Sequence, residues 1–493
     1  MEEEPLEEVR RAIGDADALR RHGLAELRAG VVTRAAALLH EAASVLAPVA
    51  PDEALAVLIQ AVEAATYAGD IRLTSVLGRQ ASALRVDGAP GTETARRRAY
   101  VEGLGRMLEG DVPAAAPLLR EAMAAGRRAS HPLAVLHGGI AASVLGADSA
   151  ARALHARAVE RARADGDLGL LARALEFLVI ADLSHGRYEA AVRHAYEGRA
   201  LAEEVGNLTT ACQHTAGLAL ISALRGRPEQ AREHAAVALA HGAAHGVGLA
   251  RACCTWALAI AELSESRAPQ ALERLKALAT LGPGEGHPIV SLVATPHLVE
   301  SAARVGDVEL AQRALATFRA FALRGGHTWS DGLVARGCAL ASSGLTADAH
   351  FGRAVLLHAR AARPFERART ELLWGQALRR EGRSREAVSH LRAALDAFER
   401  LDSGTWTAQA RAELRAAAVS TPGVSRHATT ERLTPRQREI VELVATGATN
   451  REIAARLDVS PRTVDHHLRQ VFAKLGISSR AELIRPAAEA ADA

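Results

Sequence analysis

Arg462, Asp465, His466 and Arg469 fall on one side of a segment whose apolar residues Val464, Leu468, Val471 and Leu475 recur at i, i+4, i+7 and i+11. That spacing predicts an amphipathic helix buried along the valine and leucine stripe, with Ala473 further along the polar face. Guanidinium, carboxylate and imidazole groups on one exposed face supply the donors and acceptors that base edges in a DNA groove can meet. A shorter apolar pattern precedes it: Ile453 and Leu457 point inward, and Ala454 is small where the next helix must cross. Only Asp458 and Val459 separate that pattern from Ser460. This is helix-turn-helix spacing, core 450–469, which lays the second helix in the major groove of double-stranded DNA.

Four helix starts surround this core, each signed by a hydroxyl residue with a partner three positions on. They are Thr434-Pro-Arg-Gln437, Thr449-Asn-Arg-Glu452, Ser460-Pro-Arg-Thr463 and Ser479-Arg-Ala-Glu482, with Gly447 and Gly476 ending the first and third helices. Between Thr434 and Arg485 nine Lys/Arg stand against six Asp/Glu, a modest local excess. The whole chain carries a formal net charge of only +3, so the case for nucleic acid rests on this segment.

Residues 433–485 resemble the LuxR-type DNA-binding domain, a four-helix module. The matching features are Leu433-Thr-Pro-Arg-Gln-Arg-Glu439, Gly447, Asn450-Arg-Glu-Ile-Ala454, Val459-Ser460, Thr463-Val464, His467, Lys474-Leu-Gly476 and Ser479-Arg-Ala-Glu-Leu483. The resemblance implies base contacts at Asp465, His466 and Arg469, and backbone contacts at Arg451, Ser460, Arg462, Thr463 and Arg480. Arg469 suits guanine, whose O6 and N7 accept two donors. Asp465 departs from the lysine common in the family; it repels phosphate and can accept from cytosine N4, so it should restrict sequence more than add affinity. His467, beside Val464 and Val471, reads as a half-buried structural residue. Since one such helix reads a few base pairs, a homodimer on two half-sites is implied.

The elements ahead of this segment keep a forty-residue beat. Gly30, Gly69, Gly110, Gly146, Gly186, Gly226, Ser266, Gly306, Gly344 and Gly382 recur at steps of 36 to 41 residues. Five residues after each stands Ala35, Thr74, Ala115, Ala151, Ala191, Ala231, Ala271, Ala311, Ala349 or Ala387; seven before, a glycine, alanine or valine such as Gly103 or Val179. A glycine closing one helix, with small residues at fixed places on both, describes a helical hairpin that must stack on its neighbours to bury its stripe. Gly186-Arg-Tyr-Glu-Ala190 and Gly226-Arg-Pro-Glu-Gln-Ala231 resemble the inter-helix turn of tetratricopeptide repeats, with a beat longer than the usual 34. The expected architecture is all-α: a tetratricopeptide-like solenoid over 1–418, a linker over 419–432, and the DNA-binding module over 433–493.

Composition agrees with that class. The chain is 49% hydrophobic but only 3% aromatic, and the apolar content is mostly Ala and Leu, strong helix formers. Cys212, Cys253, Cys254 and Cys338 lack the spacing of a disulfide scaffold or zinc site and are expected to be reduced and buried. Without a signal-peptide pattern or a membrane-length apolar run, a soluble cytoplasmic protein is expected, with no membrane partner. Gly282-Pro-Gly-Glu-Gly286 lacks dinucleotide spacing and reads as a loop, His241 and His245 lack the flanking glutamate of a metal helix, and no Gly-Lys pair exists for a Walker A loop.

No cofactor, metal or enzyme activity is therefore expected. The repeats and terminal module together resemble the C-terminal half of large ATP-dependent LuxR regulators, without their ATPase domain. The expectation is a bacterial-type, sequence-specific transcriptional regulator whose solenoid senses a protein or small-molecule effector, or oligomerises, and controls the module through the linker. The alternatives are an interaction adaptor in which the module is secondary, and a sigma-factor-like promoter reader, for which the repeats leave no room.

Overall fold

A computed structural model describes residues 3–86, 92–419, 433–445 and 447–475. Among them every regular element is an α-helix, 24 in all. The chain divides into two compact units, Met1–Trp374 with Ala393–Ala410, and Gly375–Arg392 with Arg411–Ala493. The helix Gly404–Val419 takes in the first residue of the expected linker. Residues 420–432, Gly476 and the fourth helix start at Ser479 lie outside the described residues.

Up to Arg400 the helices come in ten consecutive pairs, as the beat predicts, and Gly404–Val419 follows as the twenty-first. Within a pair such as Leu168–Ser184 and Tyr188–Glu204, Gly186 turns the chain with φ 71°. The small residues seven before and five after the turn are where the paired helices meet. A Cβ on Gly103 would lie 2.9 Å from Leu119 Cδ2, and one on Gly139 2.6 Å from the His155 ring, so side chains larger than hydrogen would force the helices apart.

The ninth pair departs from the expected register. Gly344 is the first residue of the helix Gly344–Arg360 rather than its turn; Ala349 is exposed, and Ala347 takes the buried place. Gly344 keeps a left-handed φ of 57°, but the turn at Ala341 comes three residues earlier, where no glycine marks it.

Left-handed residues also end six of the ten second helices, a half-beat that the forty-residue pattern leaves out. Gly166, Gly206, Gly246 and Gly326 hold φ between 63° and 69°, while Ala362 (φ 52°) and Asp402 (φ 50°) do the same work with a side chain. Since an L-residue in this region costs about 1–2 kcal/mol, Ala362→Gly is expected to raise the stability of the solenoid by about 1 kcal/mol after the unfolded-chain entropy is counted. A urea unfolding midpoint that stays put or falls would contradict this.

The glycine turns inside the hairpins make the solenoid meet itself. The five consecutive glycines from Gly69 to Gly226 face residues about five repeats further on: Gly69 abuts the Gly286 carbonyl, Gly110 Arg324, Gly146 the His327 ring, Gly186 Pro364 and Leu401, and Gly226 Thr405. Backbone hydrogen bonds close two of these contacts, Gly284 N to Ala68 O at 2.6 Å and Thr405 N to Gly226 O at 3.0 Å. The Gly282–Gly286 segment is thus a loop used for close backbone approach. Ionic contacts join them, Arg363 to Asp148 at 2.6 Å and Arg225 to Asp402, while the wholly buried Arg369 pairs with the wholly buried Glu300 only about two repeats away.

Cys212 and Cys254 are buried, but Cys253 and Cys338 are only half-buried, a difference from the expectation of four buried thiols. His241 and His245 stack ring on ring at 4.2 Å, with His245 Nδ1 3.0 Å from the His241 carbonyl. No helix among the described residues is long and apolar enough to cross a membrane.

Candidate nucleic-acid interface

Three helices, Pro435–Ala445, Asn450–Leu457 and Pro461–Leu475, enclose a small core. Leu433, Ile440, Val444, Ile453, Ala454, Val464, Leu468 and Val471 are buried together, and Leu457 and Val459 pack at its edge. The inward residues are those the periodicity selects, because burial of one stripe is what holds so short a bundle together.

Local chemistry fixes each helix start. The Gln437 backbone N–H donates to Thr434 Oγ1 at 3.3 Å, and the Thr434 N–H to Gln437 Oε1 at 3.1 Å. The buried Gln437 then donates from Nε2 to Gln470 Oε1 at 3.0 Å, tying the first helix to the third. At the second start, the Glu452 N–H donates to Thr449 Oγ1 at 3.4 Å and the Thr449 N–H to Glu452 Oε2 at 2.6 Å, a reciprocal capping box. The Thr449 backbone N–H also holds the Glu452 carboxyl below its ordinary range. Removing an N-cap hydroxyl typically costs about 1 kcal/mol, so Thr449→Ala is expected to speed hydrogen exchange across 450–457 about fivefold; unchanged protection would contradict the role.

Gly447 ends the first helix at φ 84°, as its position predicts. Between the second and third helices the chain turns at Asp458, with φ 50° and ψ 50°, and Ser460 caps the next start through a 3.1 Å bond from the Thr463 N–H. The Arg436 guanidinium bonds the Leu457 carbonyl, so the first helix also holds the end of the second. Sequence reasoning did not assign Arg436 this part, nor place Asp458 in the left-handed region.

The predicted outer face is realised over 462–469, while the side chains of Ala473 and Leu475 lie outside the described residues. Arg462, His466 and Arg469 are exposed and Asp465 is half-buried, on the side opposite Val464, Leu468 and Val471. Asp465 and Arg469 do not project independently: Arg469 Nη2 donates to Asp465 Oδ2 at 2.5 Å, one turn apart on the same face. His466 Nε2 lies 3.0 Å from Gln470 Nε2. His467 is half-buried, and its Nδ1 has no hydrogen-bond partner.

Of the residues expected to meet the DNA backbone, Arg451 and Arg462 are exposed and make no ion pair among the described residues. Ser460 and Thr463 sit together at the third helix start with hydroxyls 2.8 Å apart. Arg480 lies outside the described residues. Among the described residues no group of His, Cys, Asp and Glu is arranged to hold a metal ion.

Two helices separated by a three-residue turn, with a polar face on the second, define a helix-turn-helix DNA-binding module. Residues 431–487 match the family described as bacterial regulatory proteins, luxR family, and the C-terminal segment is a LuxR-type domain. An HTH-type transcriptional regulator of Mycobacterium bovis is 55% identical over 56 residues, 11% of this chain and 6% of that protein. The tetrathionate response regulatory protein of Salmonella typhimurium is 43% identical over 74 residues, 14% of this chain and 36% of that one. The nitrate/nitrite response regulator protein of Escherichia coli is 46% identical over 59 residues, 11% and 27% of the two chains. The matched segment thus spans only a small part of these relatives. A solved Rap protein complexed with competence and sporulation factor aligns over 75% of this chain and 98% of that one, at 13% identity and a TM-score of 0.48.

Proposed function

We propose that this protein is a non-enzymatic, sequence-specific, DNA-binding transcriptional regulator of the cytoplasm, with its helical repeats serving as a sensing or protein-interaction and oligomerisation platform. The observation that carries the DNA-binding reading is the outer face of Pro461–Leu475: polar, largely exposed, and held by caps and core on a helix separated from its predecessor by three residues. In this reading the helix enters the major groove, Asp465, His466 and Arg469 meet base edges, and Arg451, Ser460, Arg462, Thr463 and Arg480 meet the backbone.

The Asp465–Arg469 pair refines the roles. With one donor of Arg469 held by Asp465, the remaining guanidinium donors are oriented as a unit, which favours bidentate reading of a guanine. Asp465 then acts as the orienting residue as much as a cytosine acceptor. A homodimer would place two such helices about 34–36 Å apart, one turn of DNA.

Selection of bound sequences from random oligonucleotides by the full chain tests all of this at once. The expected outcome is an inverted or direct repeat of short guanine-containing half-sites spaced by one helical turn. Recovery of no enriched sequence would remove the reading and favour an adaptor.

A further inference from the structure

A cavity of about 460 Å³ lies inside the first unit, walled by the first helices of several hairpins and by residues from one superhelical turn later, including His287, Trp329 and Arg363. Its volume is that of a site for a drug-sized molecule. The chain has only four Trp, four Tyr and seven Phe, yet Tyr67, Tyr100, Phe177 and Trp329 all line this one space. Ile180, on the wall, is 51% exposed although it is a large aliphatic residue inside a repeat helix. An apolar, aromatic lining left open is what an apolar ligand would cover.

The polar groups of the lining divide unevenly. Arg173 is ion-paired with Glu63, and Arg363 with Asp148 at 2.6 Å. Glu176 has no such partner: Tyr67 donates its hydroxyl to Oε2 at 2.7 Å, and no described residue bonds Oε1. The side chain is 94% buried by the protein, being 6% exposed, and burial pushes its carboxyl up to about 7, against the Tyr67 hydrogen bond and the Arg173 charge. Arg173, already paired with Glu63, is then one guanidinium facing two carboxylates, an arrangement that accommodates a further charge or donor from outside.

We propose that this cavity binds a small, mainly apolar molecule carrying a protonated amine, with Glu176 as its counter-ion and Tyr67, Tyr100, Phe177 and Trp329 against its apolar body. The amine is favoured over an acid because, once the two ion pairs are set aside, the lining keeps the Glu176 carboxyl, which a cation would hold ionised and an anion would meet unfavourably. Aromatic faces add attraction for a cation. This inference rests on the reading of the solenoid as the sensing part, and supplies the chemistry of what it senses.

The test uses the full chain and three fluorescent probes that share one apolar group: dansylcadaverine, a primary amine; dansylamide, neutral; and dansylglycine, an acid. Saturable one-to-one binding is expected, with the amine about tenfold or more tighter than the acid. Glu176→Gln keeps an acceptor for Tyr67 and should cost the amine about tenfold while leaving dansylamide within about twofold. Ile180→Trp, at an exposed position that does not endanger folding, should narrow the cavity and weaken amine and amide alike.

Equal affinity for amine and acid, an unaffected amine affinity in Glu176→Gln, or unaltered binding in Ile180→Trp would each overturn the proposal. DNA binding of the same preparations separates the two readings. Probe binding as expected with no change in DNA affinity leaves the site standing and removes its part in sensing. Absent probe binding with intact DNA binding overturns the site alone.

Discussion

Arg469→Ala is expected to weaken binding to a selected operator by about 5- to 150-fold, the 1–3 kcal/mol that a bidentate base contact is worth, and to relax specificity at one base position per half-site. Binding to unrelated DNA should fall only by the loss of one charge, visible as a slightly shallower dependence on salt. Asp465→Asn separates the orienting role from direct reading. It removes a negative charge that opposes phosphate, so nonspecific affinity should rise, while specificity falls because an amide oxygen holds Arg469 more weakly than the carboxylate 2.5 Å away. The double variant should cost less than the sum of the two, with a coupling of at least about 0.5 kcal/mol in operator binding. Additivity would mean that the two side chains act on separate bases and that their contact on the free helix is broken on DNA.

The second large effect concerns the solenoid. Glu300 and Arg369 are 0% and 1% exposed, and the guanidinium lies 4.5 Å from the Trp406 ring while also donating to Gln409 Oε1 at 3.1 Å. Burial alone would raise the Glu300 carboxyl, but Arg369 and Arg304 outweigh it and hold it at about 2. Glu300→Gln would leave Arg369 buried without a full counter-charge, a change that typically costs about 3–5 kcal/mol. Unfolding midpoints in urea should show it, and Glu300→Gln with Arg369→Met should recover most of the loss. A loss below about 1 kcal/mol would show that the pair is not what holds these segments together.

The pH dependence has a definite sign. The folded carboxyl titrates below the ordinary value of about 4.3, so its contribution is complete above that pH and is lost as the pH falls from there towards 2. Over that interval the native protein should lose stability faster than Glu300→Gln. Parallel curves would contradict the assignment.

What could be read in advance follows from the range of the interactions involved. Caps at Thr434, Thr449 and Ser460, the left-handed Gly447 and the stripe Val464–Leu468–Val471 depend on neighbours three or four residues away, so spacing alone reveals them. The same locality exposes the forty-residue beat. It misled in the ninth repeat, where a left-handed glycine three residues past the turn at Ala341 imitated the expected marker. It also missed Ala362 and Asp402, because no residue type there announces a left-handed turn.

The sequence by itself determined the helices, their pairing into hairpins, and which side of Pro461–Leu475 stays polar, since each is settled by periodicity and capping within a few residues. Only the tertiary structure decided that the turn glycines meet chain about five repeats away, that Glu300 finds Arg369, that Arg469 leans on Asp465, and that four scattered aromatic and tyrosine residues converge with Glu176 on one cavity. Those partners are chosen by the accumulated rotation of stacked repeats or by the rotamers of exposed side chains. Neither leaves a periodic trace in the order of the residues.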